Sequence, residues 1–403
     1  MDRWVETVGS PEEVLERYPK KETNDPAREL VATAASLGFD LAPRDDEDLP
    51  RPTAELKQRF KLFKRHSARW LKAQLSRDDG PPDETPAEVR EFLWEFREPL
   101  DRIEEILVTD GQLTWKQDIE RLWNAPQPNL LGQMDLHKLL LADCFFQLEG
   151  LDIEGAERAL EASWQLNESL ADDPNLIVQI IRLNGLRMQA ATVRQLPWLE
   201  HWIPRLDGRR YREAFERALF HEGWVWPQVD FGPNPEQDLG ARVQSVIIGP
   251  YMELATADAS ERWRRKIVRL QEFETLCHAE IDPAGVRLDI PMPWWNRFGS
   301  LLPANLESAL ERLVLTQQQM ELTRKLLEIG VMRRETGRWP DLDDAWLQSR
   351  FCRGDRWIYT REGETASMKL SREPENLRER HSPVTWSFSF KPPHVLDGLI
   401  ADP

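Results

Sequence analysis

Apolar residues recur along most of this chain at helical spacing, and their densest run lies between Met134 and Leu196. That run predicts three consecutive helices, the first two forming a hairpin. Leu136, Leu139, Leu140, Leu141, Cys144, Phe145, Phe146 and Leu148 leave almost no polar face, so the first helix should be buried on most sides. Gly150 is placed to end it, as glycine past a last helical turn commonly does. Asp152 stands where an N-cap belongs, and Ile153, Ala156, Leu160, Trp164 and Leu170 mark the inner face of the second helix. Glu154, Glu157, Arg158, Glu161 and Gln165 fill its outer face. Asp173-Pro174 is expected to open the third helix, with Asp as cap and Pro at the first helical position.

The same patterning extends outward. Ser10-Pro11-Glu12-Glu13 starts a short helix that Tyr18-Pro19 stops, and Asp25-Pro26 opens another that ends at Gly38. Thr53 caps a helix with the stripe Leu56, Phe60, Phe63, Trp70, Leu71 and Leu75. Thr85-Pro86-Ala87-Glu88 reads as a capping box, and Pro99 as a break or kink in the helix that follows. Trp115, Ile119, Leu122 and Trp123 suggest one further short helix before the hairpin. Beyond it, Tyr211, Phe215, Ala218 and Leu219 mark a helix. So do residues 241–257 and the stripe Trp263, Ile267, Leu270, Phe273 and Cys277. Asn305 caps the longest helix, from Leu306 to about Thr336. Strands are then expected at Asp355–Thr360, Ser367–Leu370 and Thr385–Phe390, the last alternating Trp386, Phe388 and Phe390 with polar neighbours. The fold class is therefore mostly α: an irregular, repeat-like helical bundle with a small C-terminal α+β element. Composition shifts place a helical region at 1–125, a central helical domain at 126–300 and the long helix with its β element at 301–403.

Composition sharpens this picture at three points. Seventeen Trp and fifteen Phe against four Tyr favour large apolar packing elements. A net charge of −17 argues against nucleic acid as a partner. The charge is uneven, because the helix over 55–77 carries Lys57, Arg59, Lys61, Lys64, Arg65, Arg69, Lys72 and Arg77. The three Cys, at 144, 277 and 352, are far apart and read as buried thiols. No apolar run approaches the roughly 18 residues that span a bilayer. The start Met1-Asp2-Arg3-Trp4 has no signal pattern, which predicts a cytoplasmic protein. A periplasmic or membrane-anchored one follows only if an anchoring segment precedes Met1.

Two resemblances come from these motifs. Leu136 to Pro174, with its buried first helix, Gly-Leu-Asp turn and Ala156, Leu160 and Ser163 at small–large–small offsets, resembles a tetratricopeptide-type hairpin. The glycine expected inside the first helix is replaced near Cys144, and no second copy follows at a period of about 34 residues. Leu322 to Tyr359 is similar to the tail of an uncharacterised group of envelope-associated bacterial helical proteins. In them a long helix ends in a Gly-x-(Trp/Tyr)-Pro turn before a small sheet, as in pseudopilin-like domains. Here the turn is Gly337-Arg338-Trp339-Pro340. The apolar anchoring half of such a helix is missing, since Leu306 to Gly337 is too polar, and the group implies no particular chemistry.

Candidate chemistry is sparse. Asp45-Asp46-Glu47-Asp48 could bind Mg²⁺ in the manner of all-α terpene synthases, but it lies between Pro43 and Pro50 in a loop and lacks a partner motif. His221-Glu222 begins a zinc-protease helix motif, yet Val225 stands where the second His belongs, which leaves a helix C-terminal His favoured by the dipole. Cys277 and His278 are adjacent, so on a helix they point about 100° apart. The basic helix reads as a solvated face or a phosphate- or acid-binding surface. Arg182, Arg187 and Arg194, with Trp198 and Trp202 beyond them, could line a peptide groove. The expectation is a non-enzymatic binding or scaffold protein holding a protein or peptide partner, with no cofactor and no metal. The alternative is an all-α enzyme with an apolar cavity for Mg-dependent prenyl-diphosphate chemistry.

Overall fold

The computed structural model describes residues 9–43, 48–77, 82–109, 112–196, 199–225, 239–271, 306–352, 354–363, 365–371 and 385–389. These residues are mostly helical, and the sheet is confined to the C-terminal end. The N-terminal helices are α1 (Pro11–Arg17), α2 (Asp25–Ser36), α3 (Ala54–Leu75), α4 (Ala87–Glu95) and α5 (Arg97–Val108). The central ones are α6 (Leu130–Glu149), α7 (Ile153–Glu168), α8 (Leu176–Val193) and α9 (Arg209–Val225). Then come α10 (Leu239–Gln271), α11 (Leu306–Thr336) and the single turn α12 (Asp344–Leu347). Short 3₁₀ segments cover Ile119–Asn124 and Glu200–Leu206.

The helix starts carry their caps. Ser10 and Glu13 form a complete capping box, and Thr53, Asn129 and Asp152 each accept a backbone N–H of the first turn. Three local expectations are corrected. Thr85 caps nothing; the N-cap of α4 is Pro86, with no side-chain bond, and the Thr85 N–H donates instead to Glu149 Oε2 at 2.9 Å. The break that follows falls at Phe96 (φ −103°, ψ 25°), while Pro99 sits harmlessly in the first turn of α5, where its missing N–H is not needed. The third central helix starts two residues later than expected. Asn175 is its cap, accepting from Ile177 and Val178, and Asp173 Oδ1 accepts from the Asn175 N–H at 2.8 Å.

The α6–α7 turn departs from glycine chemistry. Gly150 has an ordinary φ of −76°, and the left-handed residue is Leu151 at φ 65°. The α6 and α7 faces behave as their patterns require. Leu136, Leu139, Leu140, Phe145, Ala156, Leu160 and Ser163 are all fully buried. All but Ser163 join one apolar cluster that runs from Ala27 on α2 to Met320 on α11. Within it Phe39, Phe60, Phe63 and Phe92 pack ring on ring, locking α3 to α4. Long α11 lies along α8 and against the 200–206 segment.

A second cluster covers the other part of α11. Trp357 from β1 (Trp357–Glu362) and Met368 and Leu370 from β2 (Thr365–Leu370) pack on Leu315, Leu322 and Ile329. The three strands are antiparallel in order β1-β2-β3, with Trp357 opposite Leu370 and Thr365 of β2 opposite Ser389 of β3 (Thr385–Ser389). Cys352 is buried beneath this sheet and is disulfide-bonded, while Cys144 is free, which corrects the reading of Cys352 as a thiol. No helix among the described residues is long and apolar enough to cross a membrane.

Candidate functional site

Of the five residues expected to line a groove, Arg182, Arg187, Arg194 and Trp202 are described, and these four do not share one surface. On α8, Arg182 and Arg187 are five residues apart and so point about 140° away from each other. Arg182 is 3% exposed. Its Nη2 donates to Glu168 Oε1 at 2.9 Å and its guanidinium lies 5.0 Å from the Tyr211 ring centre. Trp202 is fully buried, edge-on to Trp164 at 5.2 Å and beneath the Arg205 guanidinium at 4.7 Å. Together they make an internal stack of rings and guanidinia that joins α7, α8 and the 200–206 segment. Arg194 donates to Thr323 Oγ1 at 2.6 Å and ties α8 to α11. Arg187 is half-buried, and burial, reinforced by the charge of Arg312, pushes its pKa down. Trp198 lies outside the described residues, as do Asp45, Asp46, Glu47, Cys277 and His278.

His221 is not a charged helix end. It is buried between the rings of Tyr18 and Trp224, and burial drives its pKa down to about 4, so it is neutral. Another buried polar group joins α5, α6 and α7. Arg97 grips Asp143 with two bonds of 2.7 and 3.1 Å, and Glu104 accepts from Arg158 Nε at 3.2 Å. Burial, then the neighbouring Asp143, raises the pKa of Glu104 well above the carboxylate range. Both acids are buried, so this group clamps three helices and presents nothing to a ligand.

An open cleft forms where the helical body meets the C-terminal segment. Its volume is about 260 Å³. One wall is the α11 face with Glu321, Arg324, Lys325 and Glu328; facing it are Asp207 and Arg209 on one side and Trp346 with residues 348–351 on the other. Two local features set this geometry. Gly208 lets the Phe351 ring come close, since a Cβ there would stand 2.8 Å from Phe351 Cζ. Glu321 holds the 349–350 turn, accepting from Ser349 Oγ and from the Arg350 N–H, each at 2.8 Å.

The charges do not cancel in hydrogen-bonding capacity. Glu321 is used by that turn, Glu328 accepts from Arg324 Nε at 2.7 Å, and Asp207 accepts from the Arg209 N–H at 3.2 Å. Lys325 is 5% exposed and its ammonium sits 4.1 Å from the centre of the Trp346 ring, also donating to the Trp346 carbonyl. Burial pushes its pKa down, against the pull of Glu321 and Glu328. The guanidinia of Arg209 and Arg350 are exposed and have no carboxylate partner among the described residues. The cleft therefore offers spare donors and an aromatic face, the chemistry that takes a carboxylate. Among the described residues no group of three His, Cys, Asp or Glu stands close enough to hold a metal ion.

Sequence reasoning missed this cleft because its cations come from three separate segments, each unremarkable alone. The usable signal was Trp346 in a polar stretch after the Gly-Arg-Trp-Pro turn. The chain matches no family model, no curated protein and no solved structure.

Proposed function

We propose that this chain is a non-enzymatic helical binding protein whose junction cleft holds an acidic segment of a protein or peptide partner. The reading is carried by the donor surplus of the cleft: Lys325 over Trp346, with Arg209 and Arg350 uncommitted, in a chain of net charge −17. A chain this acidic repels such a partner over much of its surface, and the cleft is a place where the sign reverses locally, as it also does on the exposed face of the basic helix; the cleft adds an aromatic face and converging donors. The hairpin of α6 and α7 supports the scaffold reading, since a tetratricopeptide-like pair supplies a rigid frame rather than reacting groups. The disulfide at Cys352 fits an oxidising compartment.

The test is fluorescence anisotropy with a labelled Asp/Glu-rich octapeptide and a Lys-rich control of equal length. The acidic peptide should bind and the basic one should not. Arg350→Ala and Lys325→Met should each weaken binding about tenfold, since a hydrogen bond to a charged group contributes roughly 1.5–3 kcal/mol. Equal binding of both peptides, or unchanged affinity in both variants, would show the cleft is not the docking place.

A further inference from the structure

The basic helix α3 has an outward face that the fold does not use. Its inward side is Phe60, Phe63, Ser67, Trp70, Leu71 and Gln74, all buried. Its flanks are tied down. Arg59 pairs with Glu95 and His66 Nδ1 lies 3.7 Å from Glu88, both on α4; on the opposite flank Lys64 Nζ meets Asp135 of α6 at 2.6 Å. What remains points to solvent: Lys57, Lys61, Arg65, Arg69 and Lys72, all exposed. Among the described residues none of these five has a carboxylate partner. They span about 22 Å of helix. The exposed Leu62, at 42%, stands at their edge, and Glu55 in the first turn is the acid nearest the row in sequence.

We propose that this face docks the protein onto an anionic lipid surface. Successive cations four residues apart drift by about 40° around the helix, so they form a band rather than a seam. A partner helix meets a narrow seam, whereas a flat headgroup layer accepts a band of long side chains whose stems lie along the surface. Leu62 adds apolar contact at the headgroup boundary. Single-stranded nucleic acid is the poorer fit, because no aromatic side chain stands in the band to stack on a base. The rest of the chain is more acidic than the whole, so repulsion from the same surface would turn α3 toward it. Anionic headgroups attract within a Debye length of about 8 Å, which is the reach of these side chains and not of the distant acids.

The experiment is co-sedimentation of the full chain with phosphatidylcholine vesicles, with and without phosphatidylserine. Binding is expected only with phosphatidylserine and should be released by raised salt. Each cation at such a surface is worth about fivefold in affinity. The triple variant Lys61→Gln, Arg65→Gln, Arg69→Gln should therefore bind about a hundredfold more weakly, with an unchanged circular dichroism spectrum. No binding to phosphatidylserine vesicles at low salt, equal binding to neutral vesicles, or wild-type affinity in the triple variant overturns the proposal. So does tighter binding to duplex DNA at the same ionic strength, or polyglutamate binding that the triple variant abolishes, either of which would assign the face to another polyanion. None of these substitutions touches the junction cleft, so peptide binding and vesicle binding fail independently.

Discussion

Glu104 shows how one buried side chain sets a pH dependence. Its carboxyl is 1% exposed and sits beside Asp143, so its folded pKa is raised above the ordinary 4.5. Folding then takes up a proton. The stability from this group is whole at pH below about 4.5 and is lost as pH rises through the raised value. Gln cannot ionise, so Glu104→Gln should be more stable than wild type at pH 8, with a flatter dependence of Tm on pH. Thermal melts from pH 5 to 9 check this; a variant that is less stable at pH 8 would mean the ionised form is the one the Arg97 and Arg158 guanidinia favour. His137 works the other way. It is fully buried and its pKa falls to about 3, so acidification destabilises through it. Its Nδ1 lies 3.0 Å from Ser163 Oγ, a bond between the two helices of the hairpin.

Among elements, the α6–α7 turn carries strain that its sequence does not announce. Leu151 holds φ 65° and is 53% exposed, so it gains little packing for a left-handed backbone that costs a non-glycine residue roughly 1–2 kcal/mol. Leu151→Gly should raise stability by about 1 kcal/mol, measured as a higher urea midpoint at unchanged slope. A lower midpoint would show that the Leu151 side chain packs more than its exposure suggests. This turn also marks where sequence reading stops. Helix faces were legible, because burying Leu136, Leu140 and Phe145 on one element and Ala156 and Leu160 on the next follows from spacing alone. Caps were legible where the polar side chain is short and adjacent, as at Ser10 and Thr53. Thr85 and Asp173 broke the pattern because a distant carboxylate, Glu149, and a later cap, Asn175, made competing bonds. Of the cleft, only Trp346 left a sequence signal. Arg209, Lys325 and Arg350 meet only through tertiary packing, and nothing local marks Arg182 as internal until Glu168 and Tyr211 are seen around it.

At the scale of the molecule, α11 belongs to two apolar clusters at once. Leu310 and Leu313 pack with the helical body, and Leu322 and Ile329 pack beneath the sheet. The junction cleft opens along this shared helix, so its walls are set by how the two clusters seat on one rod. Gly208→Ala, which crowds Phe351, should weaken the acidic peptide severalfold while leaving the vesicle interaction intact, read in the same two assays; loss of both would indicate a wider collapse. The sharing has a practical side. A shortened gene ending at Pro340 would still encode all of α11, yet the greasy flank that Trp357 and Met368 normally shelter would be left naked to water. Such a fragment should come off a sizing column as clumps rather than single chains, so anyone trimming this protein does better to keep the tail than to cut at its most inviting proline.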